Sequence, residues 1–176
     1  MRSKKVAVFG MLAAVAIVLS ILENSVMSLM NLAVPGVKPG LANIAVLLAL
    51  YYLGGGAAWA IALIKSTAVF LATGAITTLW FSLGGAVLSM AGMLIVNRIK
   101  VFSLAGVSAA GGFLNNAGQL AVMALIGGST GFFWYLPVLT VFGVGFGLLM
   151  GVLANMIVRR VPKSAVLGTQ AINGRR

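Results

Sequence analysis

The chain has 176 residues, 61% of them hydrophobic and 7% charged, with a formal net charge of +11. Soluble domains carry about 25% charged residues, so this composition excludes an ordinary water-soluble domain and points to one compact helical membrane domain. Cys and His are absent and there is one acidic residue, Glu23, which excludes disulfides, thiol chemistry and Cys/His metal centres; no metal or cofactor is expected.

Six apolar spans are predicted in chain order. The first covers residues 6–32, after the basic start Arg2, Lys4 and Lys5. That start resembles a signal peptide, but the apolar run continues past Leu22, so it reads as an uncleaved helix. The second, residues 41–53, is short and ends at Gly54, Gly55 and Gly56. The third is 57–73 and the fourth 80–97. The fifth is 104–126, followed by Gly127 and Gly128, and the sixth is 134–158. A basic tail, residues 161–176, follows a single transmembrane domain of residues 1–160.

An even number of spans places both termini and the 97–102 loop on one side. Arg98, Lys100, Arg159, Arg160, Lys163, Arg175 and Arg176 then join the basic N-terminus there, and the positive-inside rule makes that side cytoplasmic. The opposite loops, 31–40, 74–79 and 127–133, carry one charge, Lys38. The cations therefore read as orientation signals rather than a nucleic-acid surface, since no aromatic residues interleave with them.

Gly143, Gly147 and Gly151 recur every four residues and lie on one face of the sixth span, suited to close packing within the bundle or against a partner. Gly10 with Ala14, and Ala16 with Ser20, are further small-residue pairs in the first span.

Ionised groups at the centre of a membrane helix cost about 2.5–3.5 kcal/mol on insertion scales and usually face a bundle interior or a wet cavity. Glu23 lies in the outer half of the first span and Lys65 near the middle of the third; they read either as a structural ion pair or as part of a pocket. In "GGFLNNAGQLAV", Gln119 lies four residues after Asn115 and three after Asn116, which puts these side chains on neighbouring helix faces. They serve interhelical hydrogen bonds or a ligand, with Gly111 and Gly112 leaving room one turn earlier. Asn43 opens the second span as a cap or a pocket residue. Trp134 and Tyr135 open the sixth, as an interfacial aromatic belt or beside the same pocket. Above these side chains lies "VPGVKPGLAN", residues 34–43, which holds Lys38 and reads as a loop closing over an outward-facing polar cavity.

"PGVKPGLANIAVLLALYYLG", the lysine of the third span, "NNAGQL" and "YLPVL" resemble the bacterial Gx transporter family, also described as heptaprenyl diphosphate synthase component I. The resemblance runs from residue 12 to 157, and PG-x-K-x-GLAN is its most specific part. It implies kinship with the substrate-binding S components of energy-coupling factor transporters. Those are six-helix proteins of the bacterial cytoplasmic membrane that hold a vitamin or similar small molecule near the outer face, under the loop joining helices one and two. It also implies partners: a membrane coupling protein and two cytoplasmic ATPases. The outer cavity so implied agrees with the one read from the residues, for which Glu23, Lys38, Asn43, Lys65, Asn115, Asn116, Gln119 and Tyr135 are, by their shared depth, the candidate substrate-binding residues. S components often dock through Ala-xxx-Ala on the first helix. No strict copy occurs here, and Gly10 with Ala14 is the nearest substitute.

The family's second description implies instead a non-catalytic membrane subunit of prenyl diphosphate or quinone synthesis. Prenyl diphosphate synthases hold magnesium through several carboxylates, and a chain with no Asp and one Glu cannot build that site alone. Nor does it contain the G-x-x-x-x-G-K-[ST] loop of an ATPase. The expected role is therefore not that of an enzyme.

Overall fold

The computed structural model describes residues 2–29, 40–99 and 101–167. Lys38, Lys100 and residues 168–176 of the expected basic tail lie outside them. The described residues form helices α1 (Arg2–Leu29), α2 (Asn43–Tyr52), α3 (Gly55–Thr73), α4 (Ile76–Arg98), α5 (Leu104–Gly127), α6 (Leu136–Arg160) and α7 (Lys163–Leu167). A short 3-10 helix, Thr130–Tyr135, leads into α6. Among the described residues no strand occurs.

Five segments are long and apolar enough to cross a bilayer: α1, α3, α4, α5, and the 3-10 helix with α6. The second expected span departs from this. It is a helix of 10 residues, about 15 Å at 1.5 Å per residue, half of a hydrocarbon core of about 30 Å. Seven of its ten residues are buried, among them Ala45, Val46, Leu47 and Ala49. It packs against α1, α3, α5 and α6. A helix apolar on all sides is one enclosed by protein or lipid, and here the enclosure is protein.

Other boundaries shift outward. Gly55 and Gly56, expected to end the second span, instead start α3. Helix α4 begins at Ile76, so the loop expected over 74–79 shrinks to Gly74 and Ala75. Of the segment expected as a tail, residues 163–167 form α7, which rests against α1 and α2.

Helices α4 and α6 each run antiparallel to α5, with their backbones nearly touching it. A Cβ on Gly112 would lie 2.2 Å from the Gly143 carbonyl oxygen, and one on Gly118 would lie 2.4 Å from that of Gly84. A Cβ on Gly147 or Gly151 would likewise strike α5, at Ser108 and Ala105. The glycine face of α6 is thus internal packing, and so is the buried pair Ala16 and Ser20. Gly10 and Ala14 differ: both are exposed, and nothing lies within 4 Å of a Cβ placed on Gly10.

One end of the bundle gathers the described basic termini. The phenol of Tyr52, at the end of α2, donates to the Val161 carbonyl at 2.6 Å. Lys163 stands over the Tyr51 ring, 4.5 Å from its centroid. Gly55, at the start of α3, meets Leu94 near the end of α4. The starts of α1, α3 and α5 and the ends of α2, α4 and α6 therefore lie together. Lys4, Lys5, Arg98, Arg159 and Arg160 sit at that end.

Candidate functional site

Because α2 is only half a span long, its N-terminal end lies deep inside the bundle. The first turn of any helix leaves backbone N–H groups without intrahelical partners, and away from water these must be satisfied by protein. Just ahead of this first turn the chain's one carboxylate serves a backbone donor: the Gly40 N–H donates to Glu23 Oε1. Gly40 itself has φ +70°, a conformation that side chains other than glycine adopt at a cost. The Gly40 carbonyl accepts the Asn43 N–H at 2.9 Å, which starts the turn into α2.

Asn43 does not cap its helix; the position before the first turn is Ala42, without a side-chain bond. The Asn43 side chain instead faces α3, where its Oδ1 accepts from Lys65 Nζ at 2.6 Å. Both charged side chains that the sequence places at membrane depth are thus engaged with the start of α2, Glu23 through backbone and Lys65 through Asn43.

Around this point is a chamber of about 40 Å³, lined by Ser20, Glu23, Asn24, Gly40, Asn43, Lys65, Ser66, Val69, Ser82, Asn115 and Gln119. That volume holds one or two waters. Five expected residues come together here: Glu23, Asn43, Lys65, Asn115 and Gln119. Asn116 does not line the chamber. Its Nδ2 donates to the Leu139 carbonyl at 3.0 Å, tying α5 to α6, and it borders a smaller cavity of about 10 Å³ beside Gly143 and Met150. Tyr135 is 41% exposed, at the junction of the 3-10 helix and α6, and lines neither cavity. Lys38 falls outside the described residues.

In the chamber itself, the room beside the amides comes from a different glycine than expected. A Cβ on Gly85 would lie 2.7 Å from Asn115 Oδ1, whereas Gly111 is covered by Met93, and Gly112, close against the α6 backbone, borders the smaller cavity beside Asn115 and Asn116. One turn before Asn115, α5 turns those two glycines toward packed neighbours rather than toward the chamber.

Four lining residues were not expected at the site: Asn24, Ser66, Ser82 and Ser20, the last read from the sequence only as a packing residue beside Ala16. Helical spacing holds a signal for Ser20, three residues before Glu23, and chain proximity a weaker one for Asn24 and Ser66. Ser20 and Asn24 lie within one turn of Glu23, and Ser66 adjoins Lys65. Ser66 Oγ donates to the Ala62 carbonyl at 3.0 Å and Asn24 Nδ2 to that of Ser20 at 2.7 Å, as hydroxyls and amides often do inside helices.

The chamber offers a carboxylate, an ammonium, amides and hydroxyls, a set that can accept from and donate to one small polar molecule. It supplies no His or Cys, and among the described residues no group of three His, Cys, Asp or Glu side chains could hold a metal.

The profile of the family described as heptaprenyl diphosphate synthase component I matches residues 12–157. The chain belongs to that family. No curated protein and no solved structure matches it. The matched range runs from α1 to α6, and so includes every residue that lines the chamber. With several long apolar helices, this family member is a multi-pass membrane protein.

Proposed function

We propose that this protein is a non-catalytic membrane subunit that holds one small polar molecule in the chamber at the start of α2. The observation that carries the reading is the convergence of polar side chains from α1, α2, α3, α4 and α5 on one point inside an otherwise apolar bundle. Structural hydrogen bonding alone does not need so many donors and acceptors around a cavity. Lys38 belongs to the proposal by its sequence position, two residues before Gly40. Small-molecule sites usually enclose about 300–1,000 Å³. A chamber of about 40 Å³ is therefore the closed form, and loading requires its walls to part.

Two biological settings suit such a subunit. In the first, it delivers a vitamin or cofactor precursor for uptake, with a membrane coupling protein and two cytoplasmic ATPases as partners. The exposed Gly10 and Ala14 face of α1 suits close approach by a partner helix. In the second, it is a membrane component associated with prenyl diphosphate or quinone synthesis. The family's description supports this setting more directly than uptake, because it names the synthase. The chain's single carboxylate then assigns the magnesium and diphosphate chemistry to a partner subunit.

Native mass spectrometry of the gently purified protein tests the binding role. The parent is expected to retain a small molecule that Asn115→Ala loses; a parent with nothing bound would sink the proposal. The partners recovered in the same preparation separate the settings. ATPases whose recovery is lost on Gly10→Leu with Ala14→Leu indicate uptake, and an aspartate-rich prenyl synthase indicates the second.

The proposal also places both termini in the cytoplasm of a bacterium, with the chain in its cytoplasmic membrane, following the basic end of the bundle. Single cysteines at Ser3, Ser103, Ser129 and Ser164 test this in intact cells. Only Ser129→Cys is expected to react with an impermeant maleimide, and reaction of Ser103→Cys would overturn the orientation.

A further inference from the structure

A second and larger cavity, about 250 Å³, lies at the end of the bundle away from the basic residues, between α1, the end of α3 and the start of α4. Its wall includes Asn24, Ser25, Thr73 and Thr78 beside Val69 and Ala72. With Ile21 the wall has seven residues, four of them polar, which suits water better than lipid chains. Two of them, Asn24 and Val69, also line the chamber, so this pair stands between the two spaces. Val69 is almost completely buried, at 2% exposure, and Asn24 is held along α1 by its bond to the Ser20 carbonyl. On the far side of the chamber, around Gly40, Asn43 and Asn115, the space narrows to about 10 Å³ against Gly147 and Met150. The cavities thus taper from the non-basic end toward the basic end.

We propose that the larger cavity is a vestibule through which small hydrophilic molecules reach the chamber, with Val69 and Asn24 forming the neck between them. The route runs between α1, α3 and α4, and the tight α5–α6 seam closes its inner end. This inference rests on the chamber's proposed binding role for its purpose, though its test needs no natural ligand. Each can therefore fail separately: an empty chamber in native mass spectrometry counts against binding, and an unreachable chamber counts against the route.

The chain has no cysteine of its own, so single cysteines report access cleanly. The probe is 2-aminoethyl methanethiosulfonate, a small cation, applied to the outside of intact cells and read by intact mass. Thr73→Cys reports the vestibule and Ser82→Cys the chamber. Both are expected to react, Thr73→Cys the faster. Adding Val69→Phe is expected to slow modification of Ser82→Cys about tenfold, since a packed neck yields little to added volume, and to leave Thr73→Cys unchanged. Adding Val69→Ala is expected to accelerate Ser82→Cys, and this widening carries the test alone should Val69→Phe fail to fold. An unreactive Ser82→Cys, or one indifferent to both changes at Val69, overturns the route.

Discussion

Gly118→Ala is expected to destabilise the bundle by about 3 kcal/mol, the upper part of the usual range for overpacking a core. A Cβ there would lie 2.4 Å from the Gly84 carbonyl oxygen, 2.8 Å from its carbon and 3.0 Å from Gly85 Cα. All three are backbone atoms, so no side chain can swing aside, and α4 must move away from α5 by about 1 Å to restore van der Waals contact. The helix-propensity gain of about 1 kcal/mol from replacing Gly by Ala is smaller than the overlap it creates. Gly10→Ala is the control, because a Cβ there meets nothing within 4 Å. It is expected to leave stability unchanged or raise it by at most about 1 kcal/mol. Unfolding midpoints of the two variants against the parent in mixed micelles measure the difference. Equal midpoints for all three would mean that the α4–α5 contact is not close-packed. The same displacement separates Gly85 from Asn115 and Gln119, so Gly118→Ala is also expected to lose any molecule retained by the parent.

Lys65→Met alone is expected to cost about 3 kcal/mol, the insertion-scale penalty for one charge at membrane depth without its counterpart. The Glu23 carboxylate would remain in a chamber with room for one or two waters, and Asn43 would lose its 2.6 Å bond from Lys65. Glu23→Gln with Lys65→Met is expected to recover most of that loss, to within about 1 kcal/mol of the parent, because a neutral Gln can still accept from the Gly40 N–H. A double-mutant cycle in the same unfolding assay measures the coupling. Simple additivity would show that the two charges stabilise the chamber independently. Retention of the bound molecule then separates structure from binding. A stable double variant that no longer retains it assigns the charges to the ligand, whereas normal retention assigns them to holding α2 in place.

Much of this architecture was legible in the sequence because the signals are local. Long apolar runs, basic clusters at their ends and isolated polar residues within them define the membrane class and the long helices. They also marked Glu23, Asn43, Lys65, Asn115 and Gln119 as belonging together, since each is costly against lipid and all lie at similar depth. Ser20, Asn24, Ser66 and Ser82 carry no such cost, because a hydroxyl or amide can bond to its own helix, and none was expected in the pocket. Tyr135 suited an aromatic belt and a pocket equally, and only the exposed junction before α6 separates it from the chamber.

By itself, then, the sequence determined that this is a helical membrane protein whose few polar side chains cluster at one level, and that it cannot assemble a carboxylate-held metal site. Only the tertiary structure decided that the second apolar run is a half-length helix enclosed by its neighbours. Hydropathy cannot distinguish the two cases, because a helix apolar on every face is equally at home in lipid and in a protein core. Its shortness has the larger consequence. It leaves a helix start inside the bundle, and the backbone N–H of Gly40 there meets Glu23 while Asn43 meets Lys65. These contacts span 17 and 22 residues of chain, beyond the reach of any helical periodicity, so they exist only once the helices have packed.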